Sequence, residues 1–154
     1  MNDKRKKKNQ PNPRICSFKI HFDGVAFKED QAGIGVMIKD NRGLVIALMF
    51  QKIDLPHSIG EVEAMVVLRT FKFSLEVGID TTILEGDYEI IINSLNDETA
   101  SLASFGHLIL DAKLFVDIFR KISFSQVHCQ GNFVVHNLAK HVIYVTCVIN
   151  VDRR

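Results

Sequence analysis

The chain has 154 residues, 47% of them apolar and 24% charged, and a formal net charge of +1. This length suits one domain with a full core, and the composition excludes disordered, collagen-like and disulfide-stapled classes. No apolar run approaches the roughly 20 residues that a membrane-spanning helix needs, so no membrane partner is expected.

The near-neutral sum hides an asymmetry. Lys4, Arg5, Lys6, Lys7, Lys8 and Arg14 against Asp3 give residues 1–14 a charge of +5, which leaves −4 on the remaining 140 residues. Pro11 and Pro13 oppose regular structure in this basic segment, so a flexible tail over 1–14 and a folded domain over 15–154 are expected. No apolar run follows the basic residues, so the start does not read as a secretory signal. Cys16, Cys129 and Cys147 are an odd and widely spaced set, read as reduced thiols inside the cell. The KRKKK run favours the nucleus over the cytoplasm, although a solubilising stretch would look the same.

The body opens with strand patterning. Ile15 to Val25 alternates through Ile20 and Phe22 and breaks at Asp23-Gly24. Ala32 to Ile38 follows, then the turn signal Asp40-Asn41-Arg42-Gly43, then Leu44 to Phe50 continuing toward Ile53. The period then changes. Ser58-Ile59-Gly60-Glu61 reads as a capping box, followed by Ala64, Val67, Leu68, Phe71 and Leu75 at helical spacing, with Gly78 as the stop. Thr81 to Leu84 reads as a strand in a parallel sheet centre. Glu85-Gly86-Asp87 leads into a helix through Ile90, Ile91 and Leu95. Another amphipathic segment runs from Phe105 to Phe119, and Ile122 to Val127 reads as a last strand. Asn132 is placed to cap a helix carrying Val135, Leu138, Ala139, Val142 and Ile143. The order β-β-β-α-β-α-α-β-α predicts an α/β fold with a mixed sheet layered by helices.

Three acids fall at informative places. Asp23 sits where the first strand leaves the sheet, Asp87 just after the fourth strand, and Glu63 in the first turns of the capped helix. Singly, each has an ordinary role as turn former, cap or dipole partner. Together they put three carboxylates near one point, where they repel unless a cation neutralises them. Oxygen ligands of this kind suit Mg²⁺, and two such ions about 4 Å apart can drive phosphodiester hydrolysis.

The segments FDG, AGIGVMIKDNRG, GEVEAMVVLRTFKFSLEVGI, ILEGDYEIIINSLN and GNFVVHNLAKH resemble type-1 ribonuclease H in the right order, over about residues 15–145. The plant retroelement-type branch is the nearest match. The resemblance implies a ribonuclease H-like fold, with a five-stranded mixed sheet of order 3-2-1-4-5 flanked by helices. It also implies metal-dependent cleavage of the RNA strand of an RNA–DNA hybrid, with two Mg²⁺ or Mn²⁺ ions. Matched position by position, Asp23, Glu63 and Asp87 stand for the three central metal-binding acids. His136 stands where the family's fourth acid is found, as is familiar in the plant branch. Imidazole tolerates Mn²⁺ better than Mg²⁺ and can instead orient or deprotonate water. The resemblance further implies substrate contacts at Gly24, Tyr88, His128 and Asn132. Tyr88 stands where a serine is common, and Phe133 where an arginine is common.

Rival chemistries are weaker. Cys129, His136, His141 and Cys147 are a conceivable zinc set, but His136 and His141 are five residues apart and do not share a helical face. Cys129 lacks the spacing of a nucleophilic triad. The serious alternative is a retroelement-derived nucleic-acid-binding domain that keeps the fold without the turnover. Nothing in the sequence implies an obligate protein partner.

Overall fold

The computed structural model describes residues 18–27, 30–54, 58–96, 106–127, 132–141 and 147–151. The basic segment 1–14, Cys16, His128 and Cys129 lie outside these residues. Three strands come first: β1 (Phe18–Ala26), β2 (Gln31–Lys39) and β3 (Val45–Asp54). They pair antiparallel in sequence, as the two short connections require. The β2–β3 turn is closed by the Asp40 carboxylate, whose Oδ1 accepts from the Arg42 and Leu44 amides at 2.8 and 3.0 Å. Gly43 supplies the positive φ of 82° that a side chain would resist.

Helix α1 (Ile59–Glu76) starts where the capping signal predicts, and Ser58 Oγ accepts from the Glu61 amide at 3.2 Å. Gly78, at φ 83°, marks its exit. Strand β4 (Thr81–Gly86) then returns beside β1, parallel to it. Helices α2 (Glu89–Asn96) and α3 (Gly106–Val116) follow, and β5 (Lys121–Gln126) pairs parallel with β4. Helix α4 (Phe133–His141) is shorter in the described residues than the apolar stripe through Val142 and Ile143 suggests, since 142–146 lie outside them.

The sheet order is β5-β4-β1-β2-β3-β6. Its first five strands are the expected 3-2-1-4-5 arrangement. The sixth, β6 (Cys147–Val151), extends the sheet by pairing antiparallel with β3. Its β-branched sequence CVINV lies beyond the last element predicted, the helix carrying Val142 and Ile143.

Helices α1, α2 and α3 contact one another, and α1 lies on β1, whereas α4 packs on β1, β2 and β3. Two glycines show that α1 and α4 use opposite faces. A Cβ at Gly24 would meet Val62 and Val66 of α1, both at 2.8 Å. One at Gly35 would run into the Val135 carbonyl of α4. Between α1 and the sheet lies the main core, with Ile20, Phe22, Val67, Phe71, Leu84 and Ile109 buried. Phe71 meets Phe119 edge-on at 5.5 Å between centroids.

Strand β4 is paired parallel on both sides, as expected of a sheet centre, but its two faces are unequally buried. Thr82, Leu84 and Gly86 are buried, while Thr81, Ile83 and Glu85 are only half-buried. α4 covers β1 to β3, and β4 is left partly open on that face.

Candidate active site

Asp23 is not at the end of its strand. β1 continues through Ala26, paired with β2 as far as Ala26 opposite Ala32, whereas its described pairing with β4 stops at His21 opposite Glu85. The two neighbours therefore part beside Asp23. Extending the parallel register by two residues puts Asp87 alongside Asp23, directly after β4 ends at Gly86. The sequence break at Asp23-Gly24 marks this divergence rather than a turn.

Strand alternation assigns the faces. Ile20, Phe22 and Gly24 share the α1 face, and His21 and Asp23 share the α4 face. Gly35 is the register partner of Asp23 and shares that face. Because Gly35 has no side chain, the α4 backbone at Val135 sits directly on β2, which brings the next residue over Asp23. His136 Nδ1 and Asp23 Oδ2 are 2.6 Å apart. Asp23 is 3% exposed, and its other oxygen accepts from the Gly24 amide at 2.9 Å.

Glu63 approaches from the opposite layer. It stands in the second turn of α1 at 4% exposure, and its Oε1 lies 3.4 Å from where a Gly24 Cβ would be. A side chain at position 24 would clash with Val62 and Val66 and touch the carboxylate. Glu63 Oε2 is buried without a hydrogen-bond partner among the described residues.

The electrostatics show that the acids act on one another. Burial raises the Asp23 carboxyl above its ordinary range, the Asp87 charge adds to this, and the His136 bond opposes it. Glu63 is held well above the ordinary range by burial first, then by the charges of Asp23 and Asp87. The Gly24 amide partly offsets both. Among the described residues, no group of three or more His, Cys, Asp or Glu side chains is arranged to hold a metal ion as it stands. The side chains are instead engaged locally, with Asp23 turned to His136 and Gly24.

Asn132 is buried and Tyr88 is half-buried. Asn132 is 1% exposed and donates through Nδ2 to the Phe22 carbonyl at 2.8 Å. Its Oδ1, the atom that would cap a helix, accepts no hydrogen bond among the described residues. Asn132 thus pins α4 to β1 one residue before Asp23, and His136 follows one helical turn later. The Tyr88 ring packs against the core.

Three neighbours were not singled out from the sequence. Gly35 is one. His21 and Glu85, register partners between β1 and β4, are the others. His21 Nδ1 is buried, lies 3.4 Å from Glu85 Oε2, and lacks hydrogen-bond alignment. The spacing of two between His21 and Asp23, and between Glu85 and Asp87, was the available signal.

The strand order, the opposed helical layers and the acids at the divergence of β1 and β4 define a ribonuclease H-like protein. Residues 21–142 match the reverse transcriptase-like family model, and the chain belongs to that family within the ribonuclease H-like superfamily. No curated protein matches it. Among solved structures, RNase H1 from the halophilic archaeon Halobacterium salinarum superposes with a TM-score of 0.76 at 17% identity, over 83% of this chain and 98% of that one. LC11-RNase H1, isolated from compost and solved in complex with an RNA/DNA hybrid, gives 0.72 at 16%, over 81% and 95%. The foamy viral protease-reverse transcriptase in complex with an RNA/DNA hybrid gives 0.70 at 13%, over 95% of this chain and 22% of that one. At these identities the likeness is one of fold.

Proposed function

We propose that this protein is a metal-dependent endonuclease that cuts the RNA strand of RNA–DNA hybrids. The observation that carries the reading is the approach of buried Asp23 and Glu63 from opposite layers where β1 parts from β4 ahead of Asp87, with a buried Glu63 oxygen left without a hydrogen-bond partner among the described residues. A fold does not concentrate buried negative charge at an open strand divergence without cost, and a divalent cation relieves it. The donor chemistry fits Mg²⁺ or Mn²⁺, and cation entry requires the carboxylates to turn toward a common point.

Asp23, Glu63 and Asp87 would hold the metal, with His136 on the same rim. A divalent metal pair held by these residues would supply activation of a water and stabilisation of the leaving oxygen of a phosphodiester. When Asp23 is ionised it can only accept, so His136 Nδ1 donates to it and leaves Nε2 as the outward ring nitrogen. His136 is thereby oriented to take a proton or to align water, rather than to serve as a fourth carboxylate. The backbone at Gly24 is free of a side chain beside these groups, and the 2′-hydroxyls of a hybrid's shallow minor groove are the feature that separates RNA from DNA.

A labelled hybrid incubated with wild type and with Asp23→Asn, in Mg²⁺ and then Mn²⁺, tests this. Cleavage of the RNA strand by wild type and a loss of at least a hundredfold in Asp23→Asn are expected. Absence of metal-dependent cleavage by wild type, with hybrid affinity retained, would establish the binding-domain alternative instead.

A further inference from the structure

We infer that Phe133 is a substrate-contact residue whose ring stacks on the nucleic-acid strand entering the carboxylate site, while Lys140 on the same ridge takes a phosphate of that strand. This rests on the nucleic-acid reading above and adds to it the residues that hold the strand.

Helix α4 has two unlike sides. Val135 and Ala139 are fully buried against the sheet. On the other side, Phe133, Asn137 and Lys140 are exposed. At 100° per residue these three fall within about 60° of arc, and His136 lies about 60° from Phe133 on the side that reaches Asp23. They form one ridge of aromatic ring, amide and ammonium along the rim of the candidate site. Phe133 is 64% exposed, and every other described phenylalanine is buried or half-buried. Leaving a ring in water forgoes the free energy of burying it, and here the ring is held out on a well-anchored element. Asn132 ties the first turn of α4 to the Phe22 carbonyl, and the contact of Val135 with Gly35 fixes the next. The ring is therefore presented at a set distance from the His136–Asp23 pair.

The chemistry of the ridge favours a nucleic-acid strand. Sequence-tolerant binding of strands combines aromatic stacking with cationic contacts to phosphate. Phe133 to Lys140 is seven residues, a rise of about 10 Å, which lets one strand meet both. Residues 15–154 sum to −4. Phosphate contacts therefore work against the body's own field, and stacking, which does not depend on charge, supplies what they lack.

The test uses the full chain, a fluorescein-labelled RNA–DNA hybrid and Mg²⁺, read as KM against kcat and as anisotropy over a salt series. Phe133→Ala should weaken hybrid affinity about tenfold, appearing in KM with kcat within twofold. Phe133→Trp should restore it and Phe133→Leu should not. Lys140→Gln should reduce the slope of log affinity against log salt by about 0.9. Phe133 is exposed, so the melting temperature should stay within about a degree. Unchanged KM and affinity in Phe133→Ala overturns the inference, and rescue by leucine overturns stacking. If wild type binds the hybrid without cutting it, the nuclease reading fails while the Phe133 comparison still decides this one. If wild type neither binds nor cuts, both fall.

Discussion

The Glu63 carboxyl is one whose charged form the fold penalises. Its pKa is raised well above the ordinary value of 4.5 by burial, with Asp23 and Asp87 adding to it. A carboxyl shifted upward contributes stability that is fully present below its unfolded value and lost as pH rises through the folded value. Near neutral pH without cation, ionised Glu63 is thus a net cost. Glu63→Gln should stabilise the cation-free protein by about 1 kcal/mol, raising the melting temperature by about 2–4 °C. It should also abolish cleavage. The stability gain should vanish on acidification, when wild-type Glu63 is itself neutral, and thermal melts at two pH values read this directly. Mg²⁺ should raise the melting temperature of wild type at neutral pH and do so much less in Glu63→Gln. His136→Asp places a further carboxylate against Asp23. If metal affinity limits the rate, that variant cuts faster in Mg²⁺ than wild type; a slower variant assigns His136 its own part in the proton chemistry.

Element packing decides whether these side chains meet. α4 reaches β2 only because Gly35 lacks a Cβ, and the obstructing atoms are backbone, which cannot rotate away. Gly35→Ala should therefore displace α4, costing about 1–3 kcal/mol by overpacking and separating His136 from Asp23. Circular dichroism melts and the cleavage rate should fall together. Asn132→Ala removes the tie to the Phe22 carbonyl and leaves that acceptor unpaired in the core, at about 1–3 kcal/mol. The same logic ranks Ser58→Ala lower, at about 1 kcal/mol, since it removes only the cap of α1.

At the scale of the whole molecule, charge is divided along the chain. Residues 1–14 sum to +5, and residues 15–154, which contain the proposed metal ligands, sum to −4. On the proposed reading, cations held at the acids and the basic segment would offset the negative body toward phosphate. Removing residues 1–14 should weaken hybrid binding and flatten its salt dependence, measured by anisotropy at several salt concentrations. Unchanged affinity and slope would restrict that segment to a solubilising role. Among the described residues, no helix is long and apolar enough to cross a membrane.

Local chemistry was legible in the residues. The Ser58 cap, the Asp40 turn, the Gly78 stop and the change from period two to helical spacing each rest on groups a few positions apart, so they can be read without the fold. The element order followed, and with it the first five strands. The three acids were also legible as candidates, because each lies at or near an element boundary. The element order also suggested that they meet, but not the geometry that brings them together. That geometry depends on β1 outrunning its pairing with β4 at Asp23, and on two glycines that admit α1 and α4 to opposite faces. Gly35 and Val135 are separated by a hundred residues, and no local pattern relates them. The sixth strand escaped for a different reason: a run of five residues after the last helix has no turn or cap to mark it, and only pairing with β3 defines it. Likewise Asn132 looked like a cap and a surface contact, until the fold turned its amide inward to the Phe22 carbonyl and left Phe133 outside.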